Sequence, residues 1–69
     1  MTPSLLREAG EALYGARWQS DLARDLGVAD RTMRRWVRGE FSIPEAVSGD
    51  LRAILGKRLR VICLVHGKL

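Results

Sequence analysis

The sequence has few of the residues with which small proteins build covalent or metal cross-links. It contains one cysteine, Cys63, and one histidine, His66. A single cysteine excludes an intrachain disulfide, and this pair cannot supply the four ligands of a structural zinc site. A chain below about 70–80 residues usually needs cross-links or a partner for stability. We therefore expect this 69-residue chain to form a homodimer.

Residues for catalysis are also scarce. With one histidine there is no visible Ser–His–Asp or Cys–His set, and no glycine-rich phosphate loop is present. A chain of this length has little room for a substrate cleft. We expect a protein that is not an enzyme and that holds no metal or cofactor.

Long apolar runs are absent. The longest, Val61 to Val65, is far shorter than the roughly 20 residues that span a bilayer. The N-terminal residues lack the basic and apolar segments of a secretory signal peptide. We expect a cytoplasmic protein without a membrane partner, and we expect Cys63, inside the apolar run, to be a buried small side chain.

The chain is rich in apolar residues throughout and in basic residues in one half. Hydrophobic residues make up 46% of it, which is typical of a folded domain. Up to Ala29 there are three arginines and four carboxylates, whereas from Asp30 onward nine basic side chains accompany four acidic ones. This asymmetry indicates a polyanionic partner, although a solvated basic surface would have the same composition.

The spacing of apolar residues predicts an all-α domain, a small bundle of four to five helices over residues 1–69. Thr2 and Pro3 are typical of a helix start, and Gly15 would end this first helix. Gly10 lies inside it, where glycine lowers stability by about 1 kcal/mol unless a neighbour packs closely. We expect Trp18, just ahead of the second helix, to lie in the core.

Three further helices are predicted. The first two cover residues 19–26 and residue 30 to about 38, and the last begins after the turn that follows Gly39. Ser42 and Glu45 have the spacing of a capping box, which would open the last of these helices. Gly56 would break or kink it.

Residues 19–38 have the pattern of two short helices joined by a tight turn. Gly27 suits the left-handed residue that ends the first helix, and Ala23 is small enough for close helix approach. Met33 and Trp36, three residues apart, would hold the second helix from its inner side.

The second of these helices carries four arginines at the i, i+3, i+4, i+7 spacing of one helical face: Arg31, Arg34, Arg35 and Arg38. No acidic residue is interleaved among them, so like charges destabilise the isolated helix by a few tenths of a kcal/mol per close pair. A helix selected only for its own stability would alternate the charges. The pattern therefore indicates a phosphate or base-edge partner rather than solvent.

Residues 19–38 resemble the helix-turn-helix motif of the Cro/C1-type, or lambda-repressor-like, DNA-binding family. A departure from the family is Ala29, where a serine often caps the recognition helix; the cap is then Asp30 or no side chain. The residues that match the family's opening glutamine, packing alanine, turn glycine and core positions are Gln19, Ala23, Gly27, Val28, Met33 and Trp36.

The resemblance implies that the second motif helix enters the major groove while the first crosses the DNA backbone. Arginine binds guanine O6 and N7 bidentately, so two or three guanines per half-site are expected. The residues implied to face base edges are Ala29, Asp30, Arg31, Arg34 and Arg35. Those implied to contact phosphates are Arg17, Gln19, Ser20 and Arg38.

The sequence of residues 57–69 is compatible with either a helix or a strand. Ile62 and His66 fit a helical face, which we favour, whereas the β-branched run around Val61 would also suit a strand. The apolar surplus here exceeds what four short helices can cover, so we place a dimerisation segment at about 51–69. Its expected contacts are Leu59, Val61, Ile62, Leu64 and Val65.

A basic cluster, Lys57, Arg58 and Arg60, lies at the start of this tail. Two roles stay open for it. It would either contact DNA backbone beside the site or form the polar side of the dimerisation segment.

Taken with the resemblance, these features predict a sequence-specific, homodimeric transcriptional regulator, in the simplest case an autorepressor on an inverted-repeat operator. The resemblance also implies a phage or mobile-element setting, such as that of anti-CRISPR-associated regulators. Two alternatives remain: an antitoxin-like or adaptor module that binds protein through the same fold, and a packaging protein that binds any duplex.

Overall fold

The computed structural model describes residues 1–69, and all of its regular elements are helical. The prediction of an all-α fold is confirmed, and the tail is helix rather than strand. The elements are α1 (Pro3–Tyr14), a 3-10 turn (Gly15–Arg17), α2 (Trp18–Leu26), α3 (Asp30–Val37) and α4 (Glu45–Lys68). No helix of the protein is both long enough and apolar enough to cross a membrane.

The start of α1 is the predicted one. Thr2 has extended backbone angles, and its side-chain oxygen accepts a hydrogen bond of 3.1 Å from the backbone N–H of Leu5. Pro3 occupies the first helical turn, where its missing N–H leaves no intrahelical bond unmade. This cap satisfies one of the donors that a helix start leaves free.

The first two helices meet at a glycine. Gly10 is buried on the inner side of α1, and a Cβ atom built there would overlap Cε3 of Trp18. No real Cβ tolerates such a contact, so the indole can occupy this position only because residue 10 has no side chain. A close neighbour, the condition under which Gly10 need not lower stability, is thus present, and its packing offsets the cost of a mid-helix glycine.

The core lies between α1, α2, α3 and the first half of α4. Both tryptophans belong to it, as predicted: Trp18 is 3% exposed and Trp36 5%. None of its members is polar or charged. The buried apolar side chains are Leu6, Leu13, Trp18, Leu22, Ala23, Met33, Trp36, Ile43, Val47 and Leu51.

The capping box predicted at Ser42 does not form. The fourth helix begins at Glu45 behind Pro44, which has extended angles (φ −60°, ψ 146°), and no side chain caps it. A proline disfavours helical angles in the residue before it, so Ile43 cannot join the helix. The side chain of Ser42 therefore accepts no hydrogen bond from the first turn of α4, and Ile43 packs into the core instead.

The predicted break at Gly56 is also wrong. Helix α4 continues through Gly56, because glycine weakens a helix without blocking its backbone hydrogen bonds. Its whole length is 24 residues, about 36 Å. Its first half packs on the core through Val47 and Leu51, whereas every residue from Gly56 onward is exposed. We call residues 57–69 the arm; it gives the protein a long dimension of 44 Å against 22 and 20 Å.

The arm changes the expectation for the cysteine. Cys63 was expected to be buried within its apolar run, but it is exposed. The reason is that no other part of the chain packs against the arm at this level, so an apolar neighbourhood in sequence gives no burial in space. His66, three residues further along the arm, is exposed as well.

A polar contact joins the ends of α1 and α2. The Tyr14 hydroxyl donates a hydrogen bond to Oδ2 of Asp25. Burial, and then the hydrogen bond to Asp25, raises the pKa of Tyr14 from 10.0 to about 12, since both favour the protonated phenol.

The Gly10–Trp18 contact predicts opposite effects for two glycine-to-alanine changes. Gly10→Ala should lower the free energy of unfolding by about 1–3 kcal/mol, because the new methyl overpacks the indole. Gly56→Ala is the matched control, since nothing lies within 4 Å of a Cβ there, and it should raise the free energy by up to about 1 kcal/mol. Urea unfolding followed by circular dichroism measures both; equal effects would contradict the packing.

The Tyr14 contact predicts a pH dependence. The raised pKa means that the unfolded state loses the phenol proton first. The stabilisation is therefore fully present below about pH 10 and is lost as the pH rises towards about 12. Because the chain has one tyrosine, phenolate absorbance reports it alone. We expect a midpoint near 12 in the folded protein and near 10 in denaturant; the same midpoint in both would contradict the contact.

Candidate nucleic-acid interface

Helices α2 and α3 are joined by three residues, and the first of them makes the turn. Gly27 has left-handed angles (φ 73°, ψ 29°), which glycine adopts without strain. Its N–H donates to the carbonyl of Arg24 (3.1 Å), and the N–H of Val28 donates to that of Ala23 (2.9 Å). This pair of bonds is the Schellman arrangement, so the last turn of α2 is closed as its sequence predicts.

The inner side of α3 is fixed by the core. Met33 is fully buried and Trp36 is 5% exposed, and Ala23 of α2 is fully buried as well. Helical spacing places the arginines on the opposite side from Met33 and Trp36. The basic face therefore points to solvent because the apolar face is held by α1, α2 and the residues around Ile43.

The four arginines of the basic face, three on α3 and Arg38 directly after it, do not have the same surroundings. Arg31 and Arg34 are exposed, and no carboxylate lies within 4.0 Å of either guanidinium group. Arg38 is exposed too, with Nη1 3.8 Å from Oε1 of Glu40. Arg35 is half-buried, and its guanidinium carbon lies 5.1 Å from the ring centre of Phe41. Two of the four are thus free, and two are engaged by the segment that follows α3.

That segment turns back on the helix. Gly39 has a positive φ of 74°, and the N–H of Glu40 donates to the carbonyl of Arg35 at 3.0 Å. This second Schellman turn places Phe41 beside α3 while leaving it 54% exposed. Sequence reasoning missed Phe41; the available signal was a glycine at the helix end followed by an aromatic residue near an arginine.

The start of α3 has no side-chain cap, which is one of the two outcomes expected from the alanine at position 29. Ala29 precedes the helix with extended angles (φ −70°, ψ 150°), and no side chain bonds to the first turn. Asp30 is the first helical residue and places a carboxylate near the positive end of the helix dipole. Ala29 and Asp30 are both exposed. The open end of α3 thus lies at the surface with the free arginines Arg31 and Arg34.

The residues expected at phosphates lie at the start of α2. Arg17 is exposed in the 3-10 turn, Ser20 is exposed in the first turn of α2, and Gln19 between them is half-buried. In contrast, Arg24 at the other end of α2 pairs with Asp21 at 3.1 Å and lies 4.0 Å from Asp25. Arg17 has no carboxylate within 4.0 Å, so at this surface its positive charge adds to that of the arginines on α3.

The five residues expected at a dimer contact all lie on the arm, and all are at least half exposed. Three of them, Val61, Ile62 and Val65, line a shallow apolar groove together with His66 and Leu69. The side chains and their exposed fractions are Leu59 63%, Val61 56%, Ile62 63%, Leu64 63% and Val65 51%.

The basic cluster at the root of the arm is not uniform. Arg58 is held by the body: Nη1 donates to the carbonyl of Leu13 at 3.2 Å, and the guanidinium carbon lies 5.5 Å from the ring centre of Tyr14. No such contact holds Lys57 or Arg60, which are exposed. Neither role considered for the cluster includes this contact of Arg58 with α1.

Comparison of the chain with protein-family models, with curated proteins and with solved structures finds no match.

Proposed function

We propose that this protein is a sequence-specific DNA-binding regulator that acts as a homodimer and is not an enzyme. The observation that carries the proposal is the exposed arginine face of α3, in which Arg31 and Arg34 have no acidic partner within the protein. The helix behind this face is fixed by buried side chains, so the charges are presented in a defined arrangement.

Electrostatics supports a polyanion as the partner. Arg31 and Arg34 are three residues apart, a spacing at which like charges repel. A phosphate or a guanine edge would relieve this repulsion, and guanidinium groups bind both bidentately.

The shape of the α2–turn–α3 unit supports double-stranded DNA over other polyanions. An exposed helix is the element that the major groove, about 12 Å wide, admits. Side chains at the start of α2, Gln19 and Ser20, would then approach phosphates on one flank, with Arg17 and Arg38 as further phosphate contacts. The resemblance of residues 19–38 to Cro/C1-type motifs points in the same direction.

Within this arrangement, the free and engaged arginines would have different tasks. Arg31 and Arg34, with the exposed Ala29 and Asp30, would face base edges. Arg35 would read a base from the fixed position that Phe41 gives it. Each bidentate arginine–guanine pair contributes about 1–3 kcal/mol of discrimination against other bases.

The arm supports the homodimer. Its apolar side chains are at least half exposed, and soluble monomers rarely expose contiguous apolar patches beyond a few hundred Å². A second copy would cover them and would present two recognition helices related by a two-fold axis. The DNA site would then be an inverted repeat with half-sites about 10 base pairs apart. Repression would follow from occlusion of a promoter, in the simplest case its own.

A gel-shift titration tests the proposal directly. The DNA upstream of the protein's own gene and a scrambled fragment of equal length are compared at two salt concentrations. We expect at least tenfold preference for the upstream fragment. Equal binding of both would instead indicate a packaging protein, and no binding of either would indicate a protein-interaction module.

Removal of a free arginine should change base preference. Arg34→Ala is expected to lose about 1–3 kcal/mol of binding and to relax preference at one position of each half-site. Arg24→Ala is the control with the same charge change, and it should leave base preference unchanged because Arg24 is paired within α2. The assay is a gel shift with single-base operator variants; uniform loss in both proteins would contradict the assignment.

A charge on the arm should separate the dimer. Ile62→Lys places an ammonium group in the proposed contact, where it would be buried without a partner, and should raise the dimer dissociation constant at least tenfold. Ala46→Lys introduces the same side chain at an exposed position of α4, outside the dimerisation segment of residues 51–69, and should have no such effect. Sedimentation equilibrium measures both. An unchanged dimer in Ile62→Lys would place the interface elsewhere.

A further inference from the structure

The arm leaves the body at a point where few contacts hold it. Leu55 is the last residue of α4 that packs against the core, and all residues from Gly56 onward are exposed. Gly56 itself has nothing within 4 Å of its Cβ position. If no side chain of the arm contacted the body, the continuity of the helix through Gly56 would be the only constraint on the direction of the arm.

One side chain does reach back. Arg58 donates from Nη1 to the carbonyl of Leu13 at 3.2 Å, and its guanidinium group lies over the ring of Tyr14 at 5.5 Å. The carbonyl belongs to the last turn of α1, where carbonyl groups have no partner within the helix. Arg58 thus satisfies the end of α1 and holds the root of the arm against it.

The same tyrosine continues the contact into α2. Its hydroxyl donates to Asp25, which lies two residues before the turn at Gly27 that leads into α3. The contacts Arg58–Tyr14 and Tyr14–Asp25 therefore connect the root of the arm to the α2–turn–α3 unit. Arg58 and Tyr14 are far apart in sequence, and the ring of Tyr14 packs against the edge of the apolar core.

We propose that Arg58 and Tyr14 are positioning residues that fix the direction of the arm relative to α3, and that they thereby set the spacing of half-sites that a dimer accepts. The spacing part rests on the proposed function, in which the arms of two copies pair. Neither residue needs to touch DNA for this role.

The size of the effect follows from the length of the arm. Thirteen residues of helix extend about 20 Å. A tilt of about 20° at Gly56 would move the far end by about 7 Å, which is about two base-pair steps along DNA at 3.4 Å each. A dimer whose arms tilted by this amount would no longer select one spacing.

The test compares Arg58→Met, which keeps an unbranched apolar stem as far as the position of Nε but loses the donors and the charge, with Arg60→Met, the same change at an exposed arm residue. Arg58→Lys serves as a conservative variant, and Tyr14→Phe removes only the bond to Asp25. Circular dichroism establishes that each variant is folded.

The first measurement needs neither DNA nor a dimer. Ala12→Cys on α1 and the native Cys63, both exposed, are spin-labelled, and the labelled chain is diluted with excess unlabelled protein so that only distances within one chain are observed. We expect the distance distribution to broaden or shift by several ångströms in Arg58→Met, less in Arg58→Lys and Tyr14→Phe, and not in Arg60→Met.

The second measurement is a gel shift on inverted repeats with spacers changed by one and two base pairs. The unaltered protein should prefer one spacing at least tenfold, and Arg58→Met should reduce this preference below about threefold while binding a single half-site as before. An unchanged distance distribution and an unchanged spacing preference would overturn the proposal. If the distribution broadens but even the unaltered protein binds no duplex, the arm contact is supported, whereas its role in spacing fails together with the proposed function.

Discussion

The contact between Gly10 and the indole of Trp18 sets how closely α1 and α2 approach, and the remaining packing depends on it. A Cβ at residue 10 would overlap the ring, so the separation of the two helices is that of a backbone against an aromatic face. With α2 in this position, fully buried Ala23 leaves room for α3. The small core of this chain is therefore closed by two residues that have little or no side chain.

This packing determines which charges are available. Because Met33 and Trp36 turn one side of α3 inward, its arginines lie together on the other side, and the local turn after α3 then divides them. Phe41 and Glu40 lie beside Arg35 and Arg38, so the face consists of two guanidinium groups with a neighbour and two without one. An apolar constraint inside the protein thus produces a patterned electrostatic surface outside it.

The sequence predicted much of what short-range chemistry controls, but not the start of α4, where the capping box expected at Ser42 is absent. The cap at Thr2 and the turn at Gly27 depend on residues within a few positions, and both are present. Contacts between distant segments could not be predicted, because a helical pattern gives the face of a residue but not its neighbour: the stacking of Arg58 on Tyr14 is such a contact. The break expected at Gly56 failed because glycine lowers helix stability without preventing continuation.

The central claim is that the α3 arginine face reads a specific duplex, and selection from a random duplex library by the purified protein tests it most directly. The account predicts that repeated rounds enrich one inverted repeat, with guanines in each half and half-sites about 10 base pairs apart. A library that remains random after selection would contradict this claim, whether the protein retains duplexes of any sequence or binds no duplex.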